Sequence, residues 1–138
     1  MLRTDYIQRM VEQIARMLAS VMRLRKNKQF VQAEQSLDDT ARMLFGLGMN
    51  LMLTMDLQSL ISSLHKPEKI LVLTRLLKIQ AELAQESGQN TRSQQALLRA
   101  LHLFAHLQGQ GIALDAEALS FEQLAQAQIK PDMWPPGS

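Results

Sequence analysis

The spacing of apolar residues over the first 24 positions constrains the fold of this chain more than any other feature. Apolar side chains recur there every three or four residues, which places them on one side of an α-helix, and charged residues occupy the opposite side. The sequence therefore predicts an amphipathic first helix that begins near Thr4 and packs through a broad apolar face. The apolar positions are Ile7, Met10, Val11, Ile14, Met17, Leu18, Val21 and Leu24.

Similar spacings predict about five main helices in all, plus a short C-terminal helix. The polar break at residues 26–28 is too short for anything but a tight turn, so the first two helices pair in antiparallel orientation. Asn27 is expected to take the left-handed conformation in that turn. Capping-box matches begin at Thr91 and Ser120. After the first helix, the predicted helices cover residues 29–45, about 57–64, 67–84, 91–108 and 120–128.

Two of the helix pairs repeat at an offset of 60 residues. Leu37 aligns with Leu97, and the turn position held by Lys28 aligns with Gly88. In the second pair the turn glycine precedes a small residue by five positions and an apolar residue by nine, which is typical of tetratricopeptide repeats. The sequence therefore predicts an all-α fold of tetratricopeptide-like (TPR-like) antiparallel helix hairpins.

The chain as a whole resembles an uncharacterised bacterial family of short TPR-like proteins, a domain of unknown function. The resemblance lies in the opening DYIQRMVEQ at residues 5–13, in FVQA at residues 30–33 and in residues 88–101, and it covers about residues 3–128. It implies a helical-repeat fold and a bias towards protein binding. It supplies no catalytic residues.

Composition restricts the class of protein further. The chain has no cysteine, which excludes disulfides and thiolate metal sites and fits a reducing compartment. Its longest lipid-like stretch, residues 43–55, contains two glycines and is shorter than the roughly 18 residues needed to cross a membrane. Arg3, Asp5 and Arg9 interrupt any signal-peptide core. We therefore expect a soluble cytoplasmic protein without a membrane partner.

Charge and proline content suggest how the chain is organised. Residues 1–28 carry a net charge of +5 and the remainder carries −3, an asymmetry that suits steering of a partner or of a second copy. Prolines and a glycine near the C-terminus prevent the last helix from continuing. We expect one domain over residues 1–129 and an extended, proline-rich tail over residues 130–138.

His102 and His106 are the metal-ligand candidates, because residues four apart on a helix share one face. A metallopeptidase helix would carry a glutamate directly after the first histidine, whereas Leu103 stands there. A third ligand would have to come from elsewhere, and Asp115 and Glu117 are the candidates. We interpret the two histidines as residues at the edge of a helix and expect no metal and no cofactor.

No motif for catalysis is found in the sequence. The neighbouring carboxylates Asp38 and Asp39 point about 100° apart on a helix, so they do not share a substrate, and we expect them on a solvated face. The sequence contains no glycine-rich phosphate loop, nucleophile triad or dinucleotide fingerprint. We therefore expect a protein that is not an enzyme.

The preferred function is a non-enzymatic protein–protein interaction or scaffold module. Stacked helical hairpins present a groove in which a peptide or helix lies. One alternative is a nucleic-acid-associated protein that uses the basic turn from Arg23 to Lys28, although no aromatic stacking groups accompany that turn. The other is a small-ligand or metal-binding regulator that uses His102 and His106. The partner-binding candidates are Arg9, Arg16, Arg23, Arg75 and Lys78.

Self-association is a further expectation. Only two repeat units are recognisable, whereas about three are normally needed for a stable stack. The first helix also carries apolar residues, Met22 among them, beyond the stripe that one partner helix can cover. We expect a homodimer. The alternative is that the C-terminal helix around Phe121 and Leu124 folds back and caps this surface within one chain.

Overall fold

The computed structural model describes residues 2–136; the side chains of residues 2–4, 6 and 7 lie outside that description. Within this range the chain is all-helical and contains no β-strand, which confirms the predicted fold class at the level of all-α. The elements are α1 (Leu2–Lys26), α2 (Phe30–Phe45), α3 (Met49–Thr54), α4 (Leu57–Leu64), α5 (Pro67–Glu86), α6 (Asn90–Gly109), α7 (Ala116–Gln128) and a 3₁₀ turn (Pro131–Met133).

The chain forms two compact units, which divide between Leu51 and Met52. The amino-terminal unit contains α1 and α2. The carboxy-terminal unit contains the end of α3, the helices from α4 to α7 and the 3₁₀ turn. Each unit has one principal helix hairpin, α1 with α2 and α5 with α6.

In the amino-terminal unit, α2 buries one narrow side. Ala33, Leu37 and Ala41 recur every four residues and are completely buried. The two alanines let a neighbouring helix approach closely, and Leu37 fills the space between them. α1 buries Met10, Ile14, Met17 and Val21, which are four of the seven predicted apolar positions with described side chains; the eighth, Ile7, lies outside that description.

In the carboxy-terminal unit, α5 is the most enclosed helix, because buried residues occur around most of its circumference. Pro67 lies at its first turn, where the missing N–H costs nothing, and the helix predicted over residues 67–84 begins at this residue. α6 packs along α5 and buries Phe104, whose ring meets the ring of Phe121 from α7 edge to face, with the two centroids 5.7 Å apart. α7 therefore packs against the α5–α6 hairpin, mainly against α6.

The turns of the two hairpins have the same backbone conformation. Lys28 has a φ of 58° and Gly88 a φ of 81°, so both residues are left-handed. The N–H of the following residue donates to a helix carbonyl in each turn, from Gln29 to Leu24 over 2.8 Å and from Gln89 to Ala84 over 2.7 Å. The expectation that Asn27 takes the left-handed conformation is wrong by one residue.

The structure contains a helix that the sequence did not predict. α3 (Met49–Thr54) lies between the predicted helices over residues 29–45 and about 57–64. Its first N–H, from Met49, donates to the Asp38 carboxylate of α2 over 2.8 Å, and Arg42 donates to the same carboxylate over 2.9 Å. Asp38 therefore caps a neighbouring helix and is not simply solvated. A Cβ at Gly48 would lie 2.7 Å from the Arg42 guanidinium and 2.9 Å from Asp38 Oδ1, so a side chain there would displace this ion pair.

Three predicted helix starts are wrong by a few residues. α1 already includes Leu2, so Thr4 lies within its first turn. α6 begins at Asn90, one residue before the predicted capping box. α7 begins at Ala116 because the Asp115 carboxylate accepts a hydrogen bond from the Ala118 N–H over 2.8 Å, a cap that lies ahead of the predicted one.

The C-terminal segment after α7 is partly ordered by a local hydrogen bond. The Trp134 indole donates a hydrogen bond from Nε1 to the Ile129 carbonyl over 2.9 Å. Ile129 and Pro135 are buried, and the 3₁₀ turn lies between them, within the segment that was expected to be extended. None of the helices between residues 2 and 136 combines the length and the apolarity that a membrane crossing requires.

Candidate functional site

A cleft of about 250 Å³, called the α6 cleft below, opens on the carboxy-terminal unit. It lies between the end of α3, the start of α4 and one face of α6. The α6 residues are spaced by three and four positions, so they share one side of that helix. The cleft is lined by Leu53, Leu57, Gln95, Leu98, Arg99 and His102.

Arg99 is fixed in the α6 cleft by two backbone acceptors. Its Nη2 donates to the Leu53 carbonyl over 3.1 Å and to the Met55 carbonyl over 2.7 Å. The last carbonyls of a helix have no partner within that helix, so Arg99 satisfies the C-terminal end of α3. Burial lowers the pKa of the Arg99 guanidinium, and the negative charge of Asp56 partly opposes this. The group nevertheless stays protonated, because an arginine is not deprotonated in proteins.

The wall opposite α6 is held by a helix cap. The Asp56 carboxylate accepts a hydrogen bond from the Ser59 N–H over 3.1 Å and thereby starts α4. Leu57, the first residue of that helix, faces the α6 cleft. Arg99 and Asp56 thus fix the two ends of the α3–α4 connection, and the leucine walls are built on ordered backbone.

His102 supplies a second polar group one turn beyond Leu98. Burial is the main cause that lowers the pKa of its imidazole, and the positive charge of Arg99 lowers it further. A backbone hydrogen bond involving Leu98 acts in the opposite direction. At neutral pH the imidazole is therefore uncharged, and an uncharged imidazole both donates and accepts a hydrogen bond.

The chemistry of the α6 cleft is that of a small recognition site. Three leucines provide apolar contact, and a fixed guanidinium and a neutral imidazole stand at their edge. A volume of about 250 Å³ lies below the roughly 300–1,000 Å³ typical of small-molecule sites. The site therefore fits one or two side chains of a larger partner better than a complete small molecule.

The histidine pair is not completed into a metal site by the part of the chain that the structure describes. No three of the histidine, aspartate and glutamate side chains described there are close enough to hold an ion together. The two acidic residues suggested as a third ligand lie near Arg75 instead. Its Nη2 is 3.5 Å from Glu117 and 3.9 Å from Asp115.

The partner-binding candidates occupy two different helices. Arg9, Arg16 and Arg23 follow one another every seven residues on α1 and are exposed, so they form one polar stripe. Arg75 is exposed on α5 beside its acidic neighbours, and Lys78 is half-buried one turn later. These five residues remain candidates for partner contact.

Most of the charged side chains of the basic turn, Arg23 to Lys28, are exposed to solvent. Arg23, Lys26 and Lys28 are open to solvent, whereas Arg25 is half-buried. Lys28 serves the turn through its left-handed backbone. The position of this turn thus has a structural explanation that requires no phosphate ligand.

Sequence reasoning overlooked Arg99, the central polar residue of the α6 cleft. A signal was present, because Gln95, Arg99 and His102 recur at the spacing that places them on one face of a helix. The acceptors of Arg99 belong to the end of α3 and the residue after it, and α3 was not predicted. The role of Arg99 was therefore not predicted from the sequence.

Comparison of the chain with protein-family models, with curated proteins and with solved structures finds no match. The resemblance to bacterial TPR-like proteins of unknown function therefore stays a hypothesis. Any function has to be inferred from the geometry of this chain.

Proposed function

We propose that this chain is a non-enzymatic protein-interaction module that binds a short segment of a partner protein in the α6 cleft. One observation carries the proposal. The guanidinium of Arg99 is held by two backbone carbonyls beside three leucines at the edge of an open cleft. Such an arrangement recognises an apolar side chain with an acidic group next to it.

The remaining donors of Arg99 favour an acidic ligand. Both of its hydrogen bonds come from Nη2, which leaves the Nε–H and Nη1–H groups for further acceptors. A carboxylate bonded to a partly desolvated guanidinium gains more than the same pair in open water. His102 adds a neutral donor or acceptor within the same cleft.

The architecture is consistent with this proposal. Helical hairpins commonly bind partners on their exposed faces, and the resemblance to TPR-like bacterial proteins points to the same class. We propose a TPR-like scaffold role in the cytoplasm, with a partner that remains to be identified. The arginines of α1 are candidates for additional contacts outside the α6 cleft.

A displayed peptide library tests the proposal directly. The wild-type chain should enrich peptides in which aspartate or glutamate stands next to a large apolar residue. For such a peptide, Arg99→Met should weaken binding roughly 10- to 100-fold, the loss expected for a hydrogen bond to a charged group. Leu98→Glu should weaken it as well, by placing a negative charge in the α6 cleft. Lys66→Met is the matched control, because it removes an exposed cation that lies outside the lining of the cleft.

Two outcomes would contradict the proposal. One is that no common peptide motif emerges, or that the Leu98→Glu chain enriches the same motif as the wild type. The other is a salt-dependent gel shift with RNA or DNA that disappears on changing Lys26 and Lys28 to serine. The second result would show that the chain binds nucleic acid through the basic turn and would support the nucleic-acid alternative.

A further inference from the structure

One side of α6 carries basic and neutral polar side chains and no acidic one. The helix contains two arginines, two histidines and no aspartate or glutamate over its 20 residues. At about 100° per residue, five polar side chains fall within roughly a quarter of its circumference and extend about 21 Å along its axis. We call them the α6 row: Arg92, Gln95, Arg99, His102 and His106. The middle three line the α6 cleft, so the row continues beyond the cleft at both ends.

Arg92 provides the main reason to extend the site beyond the α6 cleft. Its side chain is half-buried, and its Nε is buried without a hydrogen-bond partner in the part of the chain that the structure describes. Part of this guanidinium has thus lost its hydration without gaining an acceptor. A carboxylate at its outer nitrogens finds a cation that is already partly desolvated, which strengthens the pair.

The charges near the α6 row favour an acidic partner. Asp56 acts on Arg99 from the start of α4, but its carboxylate also accepts a hydrogen bond from the Ser59 N–H over 3.1 Å. One carboxylate does not neutralise two arginines. On the other side of the hairpin, Asp115 and Glu117 lie near Arg75 of α5. The row therefore keeps a positive charge that complements a partner bearing carboxylates.

We propose that the partner segment bound in the α6 cleft is an α-helix that lies along the α6 row and carries two acidic residues seven positions apart. One acidic residue pairs with Arg99 beside the leucines of the cleft, and the other pairs with Arg92. This inference rests on the proposed function and specifies the conformation and the charge spacing of the partner.

A helix matches the spacing of the two arginines for a geometric reason. Residues seven positions apart on any α-helix lie within about 20° of one side and about 10.5 Å apart along the axis. A partner helix aligned with α6 therefore places its two acidic residues at the spacing of Arg92 and Arg99. An extended strand covers this distance in about three residues, and its side chain then points to the opposite face.

The chemistry of the α6 row suits a protein better than a nucleic acid. Single-stranded nucleic acids are bound in basic grooves that also offer aromatic side chains on which the bases stack. Phe104 is the only phenylalanine, tyrosine or tryptophan of α6, and it is completely buried. An acidic helix needs no stacking group, so it is the occupant that the row favours.

Designed helical peptides test the inference on the full chain. Each peptide is an alanine- and glutamine-based helix of about 18 residues, with an adjacent leucine and glutamate for the α6 cleft. A second glutamate lies seven positions before the first in one peptide and seven after it in another, which covers both directions of the partner helix. Control peptides of the same composition carry the second glutamate five positions away, which turns it by about 140°. Fluorescence anisotropy at low salt gives the dissociation constants.

One of the peptides with the seven-residue spacing should bind roughly fivefold more tightly than its control. Arg92→Met should remove this advantage and leave the binding of the control peptide unchanged, which also shows that the variant is folded. Lys66→Met removes an exposed cation that lies outside the α6 row and should affect neither peptide.

Three results would overturn the inference: equal binding of the two spacings, an equal loss for both on Arg92→Met, or no binding of any of these peptides. A gel shift of single-stranded RNA or DNA that Arg92→Met abolishes would also overturn it, because the row would then bind phosphates. In the first three cases, enrichment of the acidic and apolar motif from the displayed library, with its dependence on Leu98, would still support the proposed function. Failure of the inference and failure of the proposed function are therefore distinguishable.

Discussion

Lys28 and Gly88 adopt the same left-handed turn conformation at positions sixty residues apart in the chain. In each turn the N–H of this residue donates to the carbonyl three residues earlier, over 2.9 Å to Arg25 and 3.2 Å to Gln85. The repeat detected in the sequence is therefore also present in the backbone of the two hairpins. Only the second turn has glycine, the residue that adopts this conformation without strain.

Replacement of Lys28 by glycine should stabilise the amino-terminal hairpin. A left-handed φ costs a residue with a side chain about 1–2 kcal/mol, whereas glycine adopts it freely. After the entropy that glycine loses on folding, we expect a gain of about 0.5–1 kcal/mol in the free energy of unfolding, measured by urea denaturation. Lys28→Ala is the control, because it removes the charge and keeps the Cβ.

The reverse change at Gly88 should have the opposite effect. A Cβ at Gly88 would meet no atom within 4 Å, so the φ of 81° is the only obstacle to a side chain. Gly88→Ala should therefore lower the free energy of unfolding by about 1 kcal/mol. No loss at Gly88, or no gain at Lys28 relative to alanine, would show that the turns relax to another conformation in solution.

Leu37 and Leu97, which align in the repeat, should contribute equally to their hairpins. Both are buried between helices, and truncation of either to alanine should cost about 2–5 kcal/mol. Arg16→Ala on the exposed stripe of α1 should change stability by less than about 0.5 kcal/mol. Thermal and urea denaturation of the three variants measure these differences. Similar effects at leucine and arginine positions would contradict the assignment of helix faces.

The burial of Leu37 was predicted from the sequence and helix α3 was not, and one explanation covers both results. Leu37 lies in a helix whose apolar residues recur at helical spacing, and that pattern is local. α3 has only six residues and depends on Asp38, eleven positions earlier, to accept its first N–H. A carboxylate that caps another helix leaves no local pattern, so this six-residue helix was not predicted.

The candidate site was not predicted for the same reason, because the residues that fix it are even farther apart in the sequence. His102 was recognised as a possible ligand because its spacing to His106 is visible in the sequence. The acceptors of Arg99 are the carbonyls of Leu53 and Met55, more than forty positions away. Contacts between a side chain and the backbone of a distant segment follow from packing and leave no residue pattern.

Gln80 should be an unfavourable residue at its position. Its side chain is 1% exposed and the amide nitrogen Nε2 has no hydrogen-bond partner. An unsatisfied buried donor costs about 1–3 kcal/mol. Gln80→Met keeps the length and removes the donor, so we expect a gain of about 1–2 kcal/mol in the free energy of unfolding.

Gln85→Met provides the comparison for this change, because Gln85 is exposed on the same helix. It should alter stability by less than about 0.5 kcal/mol. If Gln80→Met were instead destabilising, the amide would have to be bonded in solution, to water or to another copy of the chain.

A strong chelator should leave the melting temperature unchanged. His102 and His106 are not joined by a third ligand among residues 2–136, and an ion held by two imidazoles alone binds weakly to a helix. Differential scanning fluorimetry with and without EDTA measures the effect. A fall of several degrees that zinc reverses would contradict this prediction and support the metal-binding alternative.

The stability of the carboxy-terminal unit should fall on mild acidification because of His102. Burial and the charge of Arg99 lower the pKa of its imidazole below the ordinary value of 6.5, near which it titrates in the unfolded chain. Between the two pKa values the unfolded chain binds more protons than the folded one, so stability rises with pH in that window. The contribution of His102 to the free energy of unfolding is fully present above about pH 6.5. It is lost as the pH falls below that value towards the pKa in the folded chain.

His102→Gln should remove this dependence, because glutamine does not titrate. Urea denaturation from about pH 5 to about pH 8 should give a wild-type curve that declines more steeply on the acidic side than that of the variant. Arg99→Met should reduce the slope without abolishing it, since burial is the larger cause of the shift in the pKa of His102 and the guanidinium the smaller. Parallel curves for the wild type and His102→Gln would mean that the imidazole is solvated when the chain is folded.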